Sequence, residues 1–142
     1  MINNPQKILI RGVNWIGDAV LSIPAIHAVR KAFPHAHISL LVKPWVADIF
    51  STSNDIDEII IYEDSYKGLK GKLRLAKILK GRKFNTAVLL QNAFDAALIA
   101  WLAKVPEILD PSGVRRLSTR ERAHRKEREF LLKVLVTWIR TI

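Results

Sequence analysis

Cysteine is absent from the 142 residues. Its absence excludes disulfides, thiol nucleophiles and cysteine-ligated zinc, and it suits a reducing compartment. Nor does any uninterrupted apolar run approach the roughly 20 residues needed to cross a bilayer. The lead-in Met1–Gln6 has no cationic segment followed by an apolar signal core. A cytoplasmic chain is therefore expected, and any membrane contact should be peripheral. Acidic side chains are scarce, 13 against 23 Lys and Arg, for a formal net charge of +10. The imbalance favours anionic partners, either phosphorylated lipid surfaces or nucleic acid, beside the plainer reading of a soluble basic surface. With 49% hydrophobic residues, the chain can bury one core.

The usual phosphate cradles are missing as well. Gly12 and Gly17 have the glycine spacing of a P-loop, but Asp18-Ala19 stands where that motif needs Lys and Ser or Thr. A carboxylate there would repel a triphosphate, which argues against an NTPase. The dinucleotide fingerprint G-x-G-x-x-G is absent too.

What is present centres on Lys7–Pro24, KILIRGVNWIGDAVLSIP. Ile8-Leu9-Ile10 reads as a buried parallel strand over 7–11. A two-glycine loop follows, and Asp18 opens a helical pattern to Ala32. In an open α/β sheet, ligands bind at the carboxyl ends of strands, so Asp18 is a carboxylate at the mouth of a candidate site. The helix is expected to turn Val20, Ile23, Ile26, Ala28 and Val29 inward, with a kink or tight first segment at Pro24. Further strands are predicted over 37–42, 58–62 and 86–90. Helices are predicted over 46–50, 67–80 (Leu69, Leu73, Ala76 and Leu79 inward) and 92–104. The alternation predicts an α/β, Rossmann-like parallel sheet with helices on both faces.

Arg11-x-x-x-Trp15-Ile16-Gly17-Asp18-Ala19-Val20 with Pro24 resembles the N-terminal signature of the ADP-heptose:lipopolysaccharide heptosyltransferases. These are glycosyltransferases of family 9, here of the heptosyltransferase II kind. The likeness continues through Phe33-Pro34, Leu41-Val42-Lys43-Pro44-Trp45, Asp55-Ile56-Asp57-Glu58-Ile59 and Leu90-Gln91-Asn92-Ala93-Phe94. It covers about Lys7 to Glu107. It implies the N-terminal half of a GT-B glycosyltransferase, with 1–107 as a Rossmann-like acceptor-side domain. The implied reaction is an inverting, metal-independent transfer of heptose from ADP-heptose to the lipopolysaccharide inner core. No cofactor or metal is expected, and the donor-holding domain lies outside this sequence, so a truncated half is expected. Peripheral contact with the anionic inner membrane is a further expectation; nucleic acid is not favoured as a partner. The rival reading is a basic Rossmann-like binding module without catalysis.

The resemblance makes Asp18 the base that removes the acceptor hydroxyl proton. The alternative is that Asp18 only stabilises the first helical turn. Arg11, Asn14, Trp15, Gly17, Lys43, Asn92 and Asp95 are the candidate acceptor-binding residues. Each has a structural alternative: packing for Trp15, which is preferred; turn geometry for Gly17; helix capping for Asn92 and Asp95; unpartnered exposed cations for Arg11 and Lys43. His35 and His37 read as surface residues, and His27 shows no partner. The basic stretch 67–83 could meet anionic lipid headgroups or be a solvated helix face.

After Glu107 the text changes. Residues 108–142 read as a divergent, basic, helical tail, with Arg115–Arg128 dense in charge and Phe130–Ile142 amphipathic. Three origins stay open: a helix packed on the sheet, a membrane or nucleic-acid segment, or text from a shifted reading frame, the reading favoured by the abrupt break.

Overall fold

The structure, a computed structural model, describes residues 7–90, 94–105, 107–110 and 113–116, and only the backbone of 94–97, 107–110 and 113–116. Expectations for the helical tail beyond 116, and for Asn92, lie outside the described residues.

The strands are β1 (Lys7–Arg11), β2 (His37–Val42), β3 (Glu58–Ile61), β4 (Thr86–Leu89), β5 (Glu107–Asp110) and β6 (Gly113–Arg116). The helices are α1 (Ile16–Ala32), α2 (Pro44–Phe50), α3 (Gly68–Gly81) and α4 (Phe94–Leu102). The sheet order is β3-β2-β1-β4-β5-β6, parallel except for β6, which runs antiparallel beside β5. β5 and β6 are a correction: 107–110 and 113–116 are sheet, so the sheet runs on past the break at 107 instead of giving way to a helical tail.

The apolar runs form strands because helices cover both faces of the sheet, so every second residue is buried on each side. Ile8, Ile10, Ile38, Leu40, Val42 and Val88 meet α1 and α2 in one core cluster. Leu9, Leu41, Ala87 and Leu89 meet α3 and α4 in the other.

Two helices meet expectation in part: Ile26, Ala28 and Val29 of α1 and Ala76 and Leu79 of α3 face inward as expected, and the other named residues do not. In α1 the buried stripe is Ala19, Ser22, Ala25, Ile26, Ala28 and Val29; Val20 and Ile23 face solvent with Ile16 and Leu21. Small residues let the helix axis lie close to the sheet, and that outweighs the larger aliphatics. Pro24 sits inside α1 as one continuous element. The carbonyl that its missing N–H would have met belongs to exposed Val20, where water can serve it.

In α3, Gly71, Leu75, Ala76 and Leu79 are buried, while Leu69 and Leu73 are exposed. Gly71 sets this rotation. A Cβ there would lie 2.6 Å from the Ser65 carbonyl oxygen and 2.7 Å from Tyr66 Cα, so only glycine lets the helix sit against the short 3₁₀ turn Asp64–Tyr66.

The Asp55–Glu58 segment secures the edge away from the strands' carboxyl ends. Arg30 donates to the Asp55 carbonyl at 3.0 Å, the Ala36 carbonyl at 2.8 Å and the Asp57 carboxylate at 2.6 Å. The Ile38 N–H donates to Asp57 at 2.8 Å. Glu58 accepts from Ser39 at 2.9 Å and from Arg82. His27, expected without a partner, pairs with Asp55 at 3.2 Å. His37 lies 3.5 Å from Glu58.

Candidate active site

The chain leaves β1 toward α1 on one face and returns through α3 to β4 on the other. The topological switch point therefore lies between β1 and β4, where open α/β sheets bind ligands beyond the strands' carboxyl ends. The register joins Arg11 to Leu89, and the Leu90 N–H continues it by donating to the Arg11 carbonyl at 3.0 Å. The exits of β1, which leads through Asn14 and Trp15 into α1, and of β4, which α4 follows, thus lie side by side. Asp95 falls in the first turn of α4.

On the loop after β1, Trp15 caps α1 with extended backbone (φ −108°, ψ 140°) and no side-chain hydrogen bond. Among the described residues, no side chain therefore caps the first turn, whose N–H groups are a partially positive surface. Asp18 sits in that turn, half-buried, with no polar partner among the described residues. Trp15 is 72% exposed and free to meet a ligand or a second domain, the partner against which its packing is expected.

The two glycines have different jobs. Gly17 is helical with no positive φ, and a Cβ there would meet nothing within 4 Å. Turn geometry does not require it; the space above it is open to a ligand. Gly12 is required by the fold itself. A Cβ there would overlap Val42 Cγ1 and lie 3.3 Å from Leu40 Cδ1.

Arg11 and Lys43 are both buried, not the exposed cations of the alternative reading. The Arg11 guanidinium donates to the Gly12 carbonyl at 3.0 Å, the Leu41 carbonyl at 3.1 Å and Asn14 Oδ1 at 3.2 Å. It also stacks 4.8 Å from the Tyr62 ring centroid. Lys43 Nζ lies 4.3 Å from the Tyr62 ring and 5.7 Å from the Trp45 ring, with Asp64 at 4.0 Å. Burial pushes the Lys43 ammonium below its ordinary pKa; Asp64 pulls against this, while Lys67 and Arg11 add to it. Trp45 Nε1–H donates to the Asn14 carbonyl at 2.7 Å, fixing the loop to α2.

The site therefore has a cation–aromatic wall at the exits of β1, β2 and β3. Four of the predicted residues take part in this arrangement or border it: Arg11, Asn14, Lys43 and Trp15. Sequence reasoning missed Tyr62, Trp45 and Asp64. Their signal was position, since Tyr62 directly follows β3 and Trp45 directly follows Lys43-Pro44 after β2. No group of three His, Cys, Asp or Glu placed to hold a metal occurs among the described residues. A hollow of about 220 Å³ between α1 and α2, lined by Ile23, Ile26, Ile49, Phe50 and Asp55 among others, is formed by none of these groups.

The doubly wound sheet and its switch-point crevice define the class: a Rossmann-like α/β domain. The chain is heptosyltransferase-like. It is 28% identical to lipopolysaccharide heptosyltransferase 2 of Salmonella typhimurium over 103 residues, 71% of this chain and 30% of that protein. It is 26% identical to the Escherichia coli enzyme of the same name over the same shares of each chain. The structure of E. coli ADP-heptose LPS heptosyltransferase II superposes with a TM-score of 0.65 at 25% identity, over 73% of this chain and 30% of that one. A family 9 glycosyltransferase from Veillonella parvula shares the fold with a TM-score of 0.71 at 20% identity, over 94% of this chain and 41% of that one. No protein-family model matches the chain. The chain spans about 30% of the length of the curated relatives it matches.

Proposed function

We propose that this chain forms the acceptor side of a heptosyltransferase that extends the lipopolysaccharide core, working at the cytoplasmic face of the membrane that carries its acceptor. The observation that carries this reading is Asp18: a half-buried carboxylate without a polar partner among the described residues, in the first turn of the helix at the switch point. The relatives it matches are lipopolysaccharide heptosyltransferases, and one solved relative is an ADP-heptose LPS heptosyltransferase.

In this reading Asp18 accepts the proton of the acceptor hydroxyl as its oxygen attacks the anomeric carbon of the donor sugar. The new C–O bond forms as the bond to the diphosphate breaks, ADP leaves with the electron pair, and the configuration inverts. Metal independence and inversion are carried over from the resemblance. The open surface above Gly17 admits the sugar, and exposed Trp15 offers a face on which a ring can stack. Lys43 and Arg11 set a positive potential behind them for an anionic acceptor. Asp95, in the first turn of α4, borders the proposed acceptor groove, to which the resemblance also assigns Asn92.

The test joins residues 7–116, which hold the whole described sheet, to the donor-side remainder of the E. coli relative and measures heptose transfer. Asp18→Asn is expected to lower the rate by about 10²–10⁴-fold, the usual contribution of a positioned general base. Binding of a core oligosaccharide to the unjoined chain should change little. Near-normal transfer by a folded Asp18→Asn protein would overturn the assignment.

A further inference from the structure

The rotation that Gly71 imposes on α3 leaves an unusual solvent face. Leu69, Leu73 and Ile78 are 68%, 48% and 42% exposed. Lys70, Arg74, Lys77 and Lys80 lie exposed among them. The helix GLKGKLRLAKILKG contains no acidic residue. Lys70, Lys77 and Lys80 have no acidic partner among the described residues. The nearest acids along the chain are engaged elsewhere: Asp64 pairs with Lys67 at 3.2 Å and lies 4.0 Å from Lys43, and Glu63 accepts from Ser65 at 3.2 Å.

On this face three large aliphatics stand in solvent among cations, and nothing in the described fold covers them. From this we infer that the outer face of α3 docks on an anionic lipid surface, lying in the plane of the headgroups. The charge is of one sign and complements acidic headgroups. The aliphatics are interleaved with cations whose long stems can reach outward while the leucines sink to the acyl boundary. At 14 residues, α3 is about 21 Å long, too short to cross a bilayer but suited to lying on one. No helix among the described residues is long and apolar enough to span a membrane. Nucleic acid would use the cations but not Leu69, Leu73 and Ile78, and this distinguishes the two polyanions.

The inference goes beyond the proposed transfer reaction and does not depend on it; vesicle binding and heptose transfer are read separately. The test is co-sedimentation of the whole chain with phosphatidylcholine vesicles that contain phosphatidylglycerol, compared with vesicles of phosphatidylcholine alone. Binding to the anionic vesicles at low salt should weaken as salt is raised. Lys70→Gln with Lys77→Gln should weaken it by about fivefold per charge removed, the worth of one cation near such a surface. Leu69→Ser with Leu73→Ser alters only exposed positions, so the fold should persist by circular dichroism while vesicle binding falls. Three results would overturn the inference: no binding at low salt, binding unmoved by both double variants, or a DNA duplex bound as tightly as the vesicles with the leucine variant indifferent.

Discussion

Replacing Gly12 and Gly17 by alanine, one at a time, separates a glycine that the fold needs from one that a ligand needs. At Gly12 the added methyl overlaps Val42 Cγ1 and sits 3.3 Å from Leu40 Cδ1 and 3.5 Å from the Leu41 carbonyl oxygen. Val42 is fully buried and β-branched, so it has no free rotamer to offer. The strand must shift instead, and the Gly12 N–H bond to Leu41 (2.9 Å) strains with it. Overpacking of this kind costs about 1–3 kcal/mol. With a urea slope of roughly 1–3 kcal/mol/M for a small domain, the midpoint should fall by about 1 M. The Gly12 carbonyl also accepts from Arg11, so the cation wall should loosen too. At Gly17 the methyl meets nothing and the backbone is already helical. Removing a flexible glycine there should leave the midpoint unchanged or raise it, by up to about 1 kcal/mol in stability. Binding of a core oligosaccharide should nevertheless weaken, because the methyl occupies the open surface. Urea denaturation followed by tryptophan fluorescence reads the first effect and titration calorimetry the second. Equal losses of stability at both positions, or none at Gly12, would refute the reasoning.

Acid should weaken the fold through the Asp57–Glu58 edge. Burial alone would raise both carboxyls, but the Ile38 N–H and Arg30 hold Asp57, and Arg82 and Ser39 hold Glu58, below their ordinary values. Such groups contribute fully above the unfolded values near pH 4, and the contribution is lost as pH falls through the depressed folded values. Stability should therefore decline below about pH 4.5, and Asp57→Asn with Glu58→Gln should flatten that limb in melts recorded against pH. Lys43→Met keeps the stem between Trp45 and Tyr62 but removes a charge that burial disfavours. Its urea midpoint should match or exceed that of the unaltered chain while affinity for an anionic core oligosaccharide falls; a lower midpoint would mean that the ammonium serves the fold.

Much of the architecture was legible in residue order. Ile8-Leu9-Ile10 and His37–Val42 are apolar runs too short for helices and buried on both sides, so β1 and β2 fall where periodicity places them. Gly17-Asp18 after the first strand pointed to the candidate site because a strand-to-helix junction in an α/β alternation must open at the sheet's carboxyl edge. Helix rotation was legible only in part. Ala76 and Leu79 face in as expected, but Leu69 and Leu73 have the same spacing as Leu75 and Leu79, and the backbone of Ser65 and Tyr66 against Gly71 decides that Leu75 is buried in their place. Likewise a pattern of Ala19, Ser22 and Ala25 beside Val20 and Ile23 does not say that close approach to the sheet outweighs side-chain size. The cation–aromatic wall was hidden for a different reason. Arg11, Lys43 and Tyr62 end three strands separated along the chain, and only the order β3-β2-β1 brings them together. Sequence by itself determined the first four strands, the alternation and the carboxylate where the first helix begins, because these rest on local spacing. Tertiary structure decided strand order, helix rotation and the burial of the two cations, because those depend on which distant surfaces can approach without overlap.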